Sequence, residues 1–214
     1  MTDNSKPKFV ITIGRQFGSG GREIGRLVAQ MLKIDYYDKE LLTEAAKSTG
    51  MNSDFFEAAD ERSPKFFSSL MSFSTGFHGG SFVIGNSPIS NDNIYRQQSE
   101  VIEALAERSS CVILGRTADY ILRNHPNVIS VFIHADIATC VERIMKRDHC
   151  KTEDEARLLA EKRNKLRAEY YNFYTDKRWG EAMSYDLSVD SSKLGVELSA
   201  QLIVDYVKAR LKLK

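Results

Sequence analysis

The richest chemistry in this chain lies in Val10-Ile-Thr-Ile-Gly-Arg-Gln-Phe-Gly-Ser-Gly-Gly-Arg-Glu-Ile-Gly25. Gly18, Ser19, Gly20 and Gly21 make a tight turn in which successive backbone N–H groups can face inward without Cβ clashes. That is the backbone chemistry of an anion cradle, and Arg22 and Glu23 follow it directly. Counted back from Gly20, the spacing G-x-x-x-x-G-K-[ST] would need glycine at Arg15, lysine at Gly21 and a hydroxyl residue at Arg22. Only Gly20 satisfies it. Arginine can fork across two phosphate oxygens, so Arg22 is expected to steady the phosphates in place of the missing lysine. The bland alternative is a glycine turn that merely joins two elements.

Three further features carry chemistry of the same kind. Asp38-Lys39 is placed to meet a sugar, base or phosphate. Gly115-Arg116 delivers a guanidinium from the end of an apolar run. Arg143, Lys146 and Arg147 precede a break at His149-Cys150-Lys151, and Lys162, Arg163, Lys165 and Arg167 follow it. Phosphoryl transfer asks a protein mostly for positioning and charge neutralisation, which arginines supply. Taken singly, each cation reads as part of a solvated face balanced by Glu142, Glu153, Asp154, Glu155 and Glu161, and Arg116 as a partner of Asp119 or Glu100. As a set around one break they read as a phosphate-closing lid.

The elements needed to position these groups can be read from periodicity. Phe9 to Ile13 is an apolar strand that stops at glycine. A helix follows, with Ile24, Leu27, Val28, Met31 and Leu32 on one face. Residues 34–37 read as a short strand and 39–48 as a helix, with a further short helix over 54–61. Residues 93–108 read as a helix, 111–114 and 127–133 as buried strands, and 136–149 as a helix. Thr152-Glu-Asp-Glu155 is a capping box opening a long charged helix toward Tyr174. Residues 187–189 give a last strand, and 195–213 a closing helix. Strands alternating with helices predict one α/β domain over 9–214 with a parallel sheet covered on both faces. Ligands in such sheets collect at the carboxyl ends of the strands. That rule gathers the glycine turn, Asp38, Gly115-Arg116 and His134-Ala-Asp136 around one crevice. Residues 1–8 read as a flexible tail, about 143–170 as the lid, and 62–92 as a long mobile insertion. The insertion's phenylalanines make either a lid or a homodimer contact of it.

At 214 residues and a net charge of +1 the chain gives no global push toward nucleic acid or membrane. Cys111, Cys140 and Cys150 lack metal or redox spacing, so core packing is expected for the first two. His78, His125, His134 and His149 show neither metal spacing nor a nucleophile partner. With no signal peptide and no apolar run of membrane length, the expected location is the cytoplasm.

Beyond these derivations, the chain resembles the cytidylate kinase-like family of P-loop nucleoside monophosphate kinases. The carriers are Ile13-Gly-Arg-Gln-Phe-Gly-Ser-Gly-Gly-Arg-Glu-Ile24, Tyr36-Tyr-Asp-Lys-Glu-Leu-Leu42 and Cys111-Val-Ile-Leu-Gly-Arg-Thr-Ala-Asp-Tyr-Ile-Leu122, then Tyr170-Tyr-Asn-Phe-Tyr-Thr175, Arg178-Trp-Gly180 and Tyr185-Asp-Leu187. The resemblance implies a five-stranded parallel P-loop sheet, ATP with Mg²⁺ on the cradle, and a nucleoside monophosphate acceptor, CMP or dCMP. Position by position it matches Gly115-Arg116 with the pair that holds the acceptor's phosphate, and Arg163 and Arg167 with lid arginines. Joined to the residue reading above, this puts ATP on Gly18, Ser19, Gly20, Gly21, Arg22 and Glu23 and the acceptor on Asp38, Arg116 and Asp119, with Arg22, Arg147, Arg163 and Arg167 acting on the transferring group. The acceptor's own phosphate oxygen is a competent nucleophile, so no general base is required. The chain departs from cytidylate kinases at Gly21 and Arg22, at Thr117 where an aspartate follows Gly-Arg, and at Asn164, another usual aspartate. Two other readings stand beside this one: a nucleotide-binding module with little turnover, and a small-molecule kinase of the same fold.

Overall fold

Apolar residues in the strands alternate between two faces, and each face has its own set of helices. The computed structural model describes residues 8–38, 40–42, 91–115, 117–148 and 150–213. Its strands are β1 (Val10–Arg15), β2 (Asp35–Tyr37), β3 (Cys111–Leu114), β4 (Val128–His134) and β5 (Leu187–Asp190). They form one sheet in the order β2-β3-β1-β4-β5, parallel throughout. Its helices are α1 (Gly21–Leu32), α2 (Asn91–Arg108), α3 (Ala118–Ile121), α4 (Ile137–Asp148), α5 (Glu153–Tyr174) and α6 (Ser191–Leu211). Ile11, Ile13, Val112 and Leu114 pack with Ile24 and Val28 of α1 and Ile203 and Val207 of α6. Val10, Cys111 and Ile113 face the other way, onto Val101, Ile102 and Leu105 of α2 and Ala118 of α3. A third apolar cluster joins Cys140, Val141 and Ile144 of α4 to Ala156 and Ala160 of α5. The expected α/β architecture, a parallel sheet covered on both faces, is what forms.

The order of strands decides where a ligand can sit. From β1 the chain crosses to β2 and β3 on one side, then to β4 and β5 on the other. The reversal falls at β1, so the turn after it opens into a crevice at the carboxyl edge of the sheet. β1 also runs further than the apolar pattern predicts. Gly14 and Arg15 continue the ladder opposite Phe132 and Ile133. Gly14 does not end the strand because its pairing with β4 continues, and a Cβ there would lie 3.0 Å from the Phe132 ring. The extension carries Arg15 to the mouth of the crevice.

Local signals placed most boundaries well. Thr152 caps α5 by accepting the Glu155 N–H at 3.2 Å, and the Glu155 carboxylate takes the Lys151 N–H at 2.9 Å. α6 starts four residues earlier than periodicity suggests, because Asp190 accepts the Ser192 N–H at 2.9 Å. Gly195, at φ 71° and ψ −174°, then interrupts it. Cys111 and Cys140 are buried core residues, as expected. The expected helix over 54–61, most of that over 39–48, and positions 62–90 of the expected insertion lie outside the described residues.

Candidate active site

The turn after β1 is built as a cradle and fastened to its surroundings. Gln16 donates its N–H to the Ile133 carbonyl at 3.0 Å, and its side-chain oxygen accepts the Ala135 N–H at 3.2 Å. Gly18 and Gly20 have φ of 85° and 75°, the left-handed conformation that glycine enters without cost. A Cβ on Gly18 would lie 2.8 Å from the Cys140 carbonyl, so the turn is pressed directly onto α4. The first turn of α1 faces the crevice. The Ile24 N–H closes its bond onto Gly20 at 3.0 Å, which leaves those of Gly21, Arg22 and Glu23 without an acceptor inside the helix. These donors and the positive end of the helix suit an anion.

The expected site residues separate into those that meet and those that do not. Gly18, Gly20, Gly21, Arg22 and Glu23 line a cleft of about 390 Å³ together with Asp38 and Glu40. Arg147, Arg163 and Arg167 line the same cleft. The break between α4 and α5 thus does bring the arginines of two helices to the cradle. Ser19 is buried beneath the turn, its hydroxyl donated to the Gln16 carbonyl at 2.9 Å and its own carbonyl accepting from Ser191 Oγ at 2.6 Å. It shapes the cradle through its backbone. Arg116 lies outside the described residues.

Arg22 was expected on the phosphates, and its guanidinium lies instead on carboxylates. Nε and Nη2 both reach Asp38 Oδ2, at 3.0 and 2.8 Å, and Nη2 also meets Glu40. Arg26 adds a longer contact to the same Asp38 oxygen, 3.4 Å. Asp38 is buried, which alone would push its carboxyl up. Hydrogen bonds from Arg22 and the Leu41 N–H, with the charge of Arg22, outweigh burial and hold it below the ordinary carboxylate value. Asp119, expected near the acceptor, is not among the residues lining the cleft. It accepts a 2.6 Å hydrogen bond from the Tyr171 hydroxyl with Lys177 at 3.8 Å, and burial pushes its carboxyl up.

Three residues that the sequence reading passed over, or noted only as departures, organise the site. Phe17 sits among the lid arginines. The guanidinium carbons of Arg147, Arg167 and Arg163 lie 4.8, 5.5 and 6.0 Å from its ring centroid. An aromatic face attracts such cations and lets three like charges share one locality. Asn164 accepts the Phe17 N–H at 2.7 Å, and Arg167 donates to the Arg15 carbonyl at 3.1 Å. The cradle and α5 are therefore stitched together through backbone groups. The third residue is Arg15, whose side chain lines the cleft. Its signal lay in the motif count, where an arginine fills the position of the first Walker glycine. Of the other basic residues, Arg143 turns to Ser191 at 3.1 Å, while Lys146 pairs with Glu142 on an exposed face. The solvated reading holds for Lys146.

A parallel sheet of this order, with a glycine cradle after its first strand and arginines of two later helices beside it, is the architecture of a P-loop kinase. Residues 10–193 match the sequence profile of the cytidylate kinase-like family. The chain belongs to that family. A cytidylate kinase from Methanosarcina acetivorans is 25% identical over 189 residues, covering 86% of this chain and 87% of the relative. One from Pyrococcus horikoshii is 24% identical over 193 residues, covering 90% and 84%. Among solved structures, an uncharacterized protein from Eubacterium ventriosum is 30% identical with a TM-score of 0.71, covering 95% of this chain and all of that one. Shikimate kinase from Acinetobacter baumannii, solved with shikimate, shares the fold at 15% identity and a TM-score of 0.52, covering 98% and 97%. Among the described residues no helix is long and apolar enough to cross a membrane.

Proposed function

We propose that this protein transfers the terminal phosphoryl group of ATP to a nucleoside monophosphate, with CMP and dCMP as the first acceptors to test. The observation that carries the reading is the cleft itself. A glycine cradle at a helix N-terminus and three guanidiniums, Arg147, Arg163 and Arg167, line one cleft of about 390 Å³. A site that only held a nucleotide would need the cradle; the added cations suit charge that moves from donor to acceptor. The cytidylate kinase relatives supply the acceptor class.

The residues present fit a triphosphate. Backbone donors at the start of α1 receive its oxygens, and Arg147, Arg163 and Arg167 neutralise the group in transit. Phe17 and Asn164 keep those cations at the cradle before a ligand arrives, which lowers the ordering cost of binding. Among the described residues no group of three or more His, Cys, Asp or Glu side chains is gathered for a metal. Magnesium brought by ATP asks only for one or two carboxylates beside phosphate oxygens, and Glu23 and Glu40 of the lining are of that type. When bound it would spread the charge of the β- and γ-phosphates. Asp38, fixed by Arg22 and Arg26, is proposed to meet the acceptor together with Arg116.

The test is a radiolabelled-ATP assay of the purified protein with Mg²⁺ and CMP, dCMP, UMP or dUMP. Transfer to a pyrimidine monophosphate is expected, and Arg163→Ala should lower it by about 10²–10³ while ATP still binds. Binding of ATP with no transfer to any of the four would defeat the proposal.

A further inference from the structure

Two glycines from distant parts of the chain are emptied of side chain to let one arginine pass. A Cβ on Gly21, at the start of α1, would lie 2.7 Å from Arg15 Cβ and 3.0 Å from its Cγ. A Cβ on Gly115, after β3, would lie 2.1 Å from Arg15 Nη1. The stem of Arg15 thus runs past residue 21 and its guanidinium rests over residue 115, just beyond the end of β3. Residue 21 is where the Walker pattern places its lysine, and residue 15 is where it places its first glycine. Any side chain at residue 21 would begin in the volume that Arg15 fills. Relative to the Walker pattern, glycine and cation have exchanged places along the chain.

We infer that Arg15 is the phosphate-binding cation of the cradle, standing where a P-loop lysine stands in the Walker arrangement and reaching the donor's outer phosphates. Arg22, engaged with Asp38 and Glu40, then serves the acceptor side. The assignment rests on the kinase reading for the identity of its ligand. Because β1 continues through Arg15, the base of this side chain is held by the ladder to β4. A fork held in this way can bridge oxygens of two phosphates, whereas a lysine would meet them as a point charge.

The experiment compares Arg15→Met, Arg15→Lys, Gly21→Lys and the exchange variant Arg15→Gly/Gly21→Lys. Calorimetry with inorganic tripolyphosphate and with ATP·Mg²⁺ reads the cradle, and the phosphoryl-transfer assay reads turnover. Circular dichroism and thermal unfolding verify folding. Methionine keeps the stem that packs against Gly21 and removes the charge. Arg15→Met should lose at least about tenfold in tripolyphosphate affinity and about 10²-fold in transfer, with Arg15→Lys between it and the parent. Gly21→Lys alone should be impaired, since two side chains compete for one volume. The exchange variant should return both readouts to within about tenfold of the parent. Parental affinity in Arg15→Met, or a folded exchange variant no better than Arg15→Met, would overturn the inference. Tripolyphosphate binding that depends on Arg15 without any transfer would keep Arg15 and remove the kinase reading. Transfer that survives Arg15→Met would do the opposite, and a parent that binds neither probe would end both.

Discussion

Asp38 and Asp119 are both buried, yet their surroundings push them in opposite directions. Asp38 is held below its ordinary value, so its contribution to folding is present at neutral pH and is lost as pH falls through that lowered value. Asp119 is pushed up chiefly by burial, so the folded state takes its proton sooner and gains as pH falls toward the ordinary value. Thermal unfolding between pH 3 and pH 7 should separate them. Asp38→Asn should cost about 1–2 kcal/mol at pH 7, kept modest because Arg22 and Arg26 reach solvent, and the deficit should close below about pH 4. Asp119→Asn should be at least as stable as the parent at pH 7, with any advantage shrinking on acidification. An Asp38→Asn deficit that is flat with pH would mean that its arginine contacts do not control the carboxyl. At this scale the sequence named Asp38 correctly as a cleft residue. It could not foresee that Arg22 would be drawn to that carboxylate, since nothing in local spacing reports a contact between α1 and the end of β2.

At the scale of elements, the cradle and α5 behave as one unit. The Phe17 N–H to Asn164 bond and the Arg167 to Arg15 carbonyl bond cross between segments roughly 150 residues apart in sequence. Removing the acceptor in Asn164→Ala should expose the Phe17 amide, raising its hydrogen-exchange rate well above the parent's. Asn164→Asp, which keeps an acceptor oxygen, should stay close to the parent. Equal exchange in Asn164→Ala and the parent would show that the α5 contact does not hold the turn. The helices themselves were legible because their signals are local: the Thr152 box, the apolar face of α1, and the break at positions 149–151. The reach of β1 to Arg15 was not, because what carries a strand through Gly14 is its pairing with β4, a long-range partner. Phe17 was missed for a related reason. An aromatic in a glycine turn shows its use only when three arginines from elsewhere surround it.

For the whole molecule, the parallel sheet and a crevice at its carboxyl edge followed from alternation and crossover rules, whereas the strand order with its reversal at β1 is set by long-range pairing that no local pattern reports. The chemistry within the crevice followed less well, because a motif counted along the chain does not report which side chains share a volume. The charge distribution has a further consequence. A chain of net charge +1 gathers Arg15, Arg147, Arg163 and Arg167 around one cleft, three of them on a single ring. Small multivalent anions should therefore act on this protein as site-specific stabilisers. Pyrophosphate at millimolar concentration should raise the melting temperature by several degrees over a chloride buffer of equal ionic strength, by mass action on the folded state alone. Phe17→Ala should blunt that rise more than it lowers the melting temperature in chloride. The medium chosen for purification would then already compete with nucleotide, so an affinity measured in phosphate buffer would report a displacement.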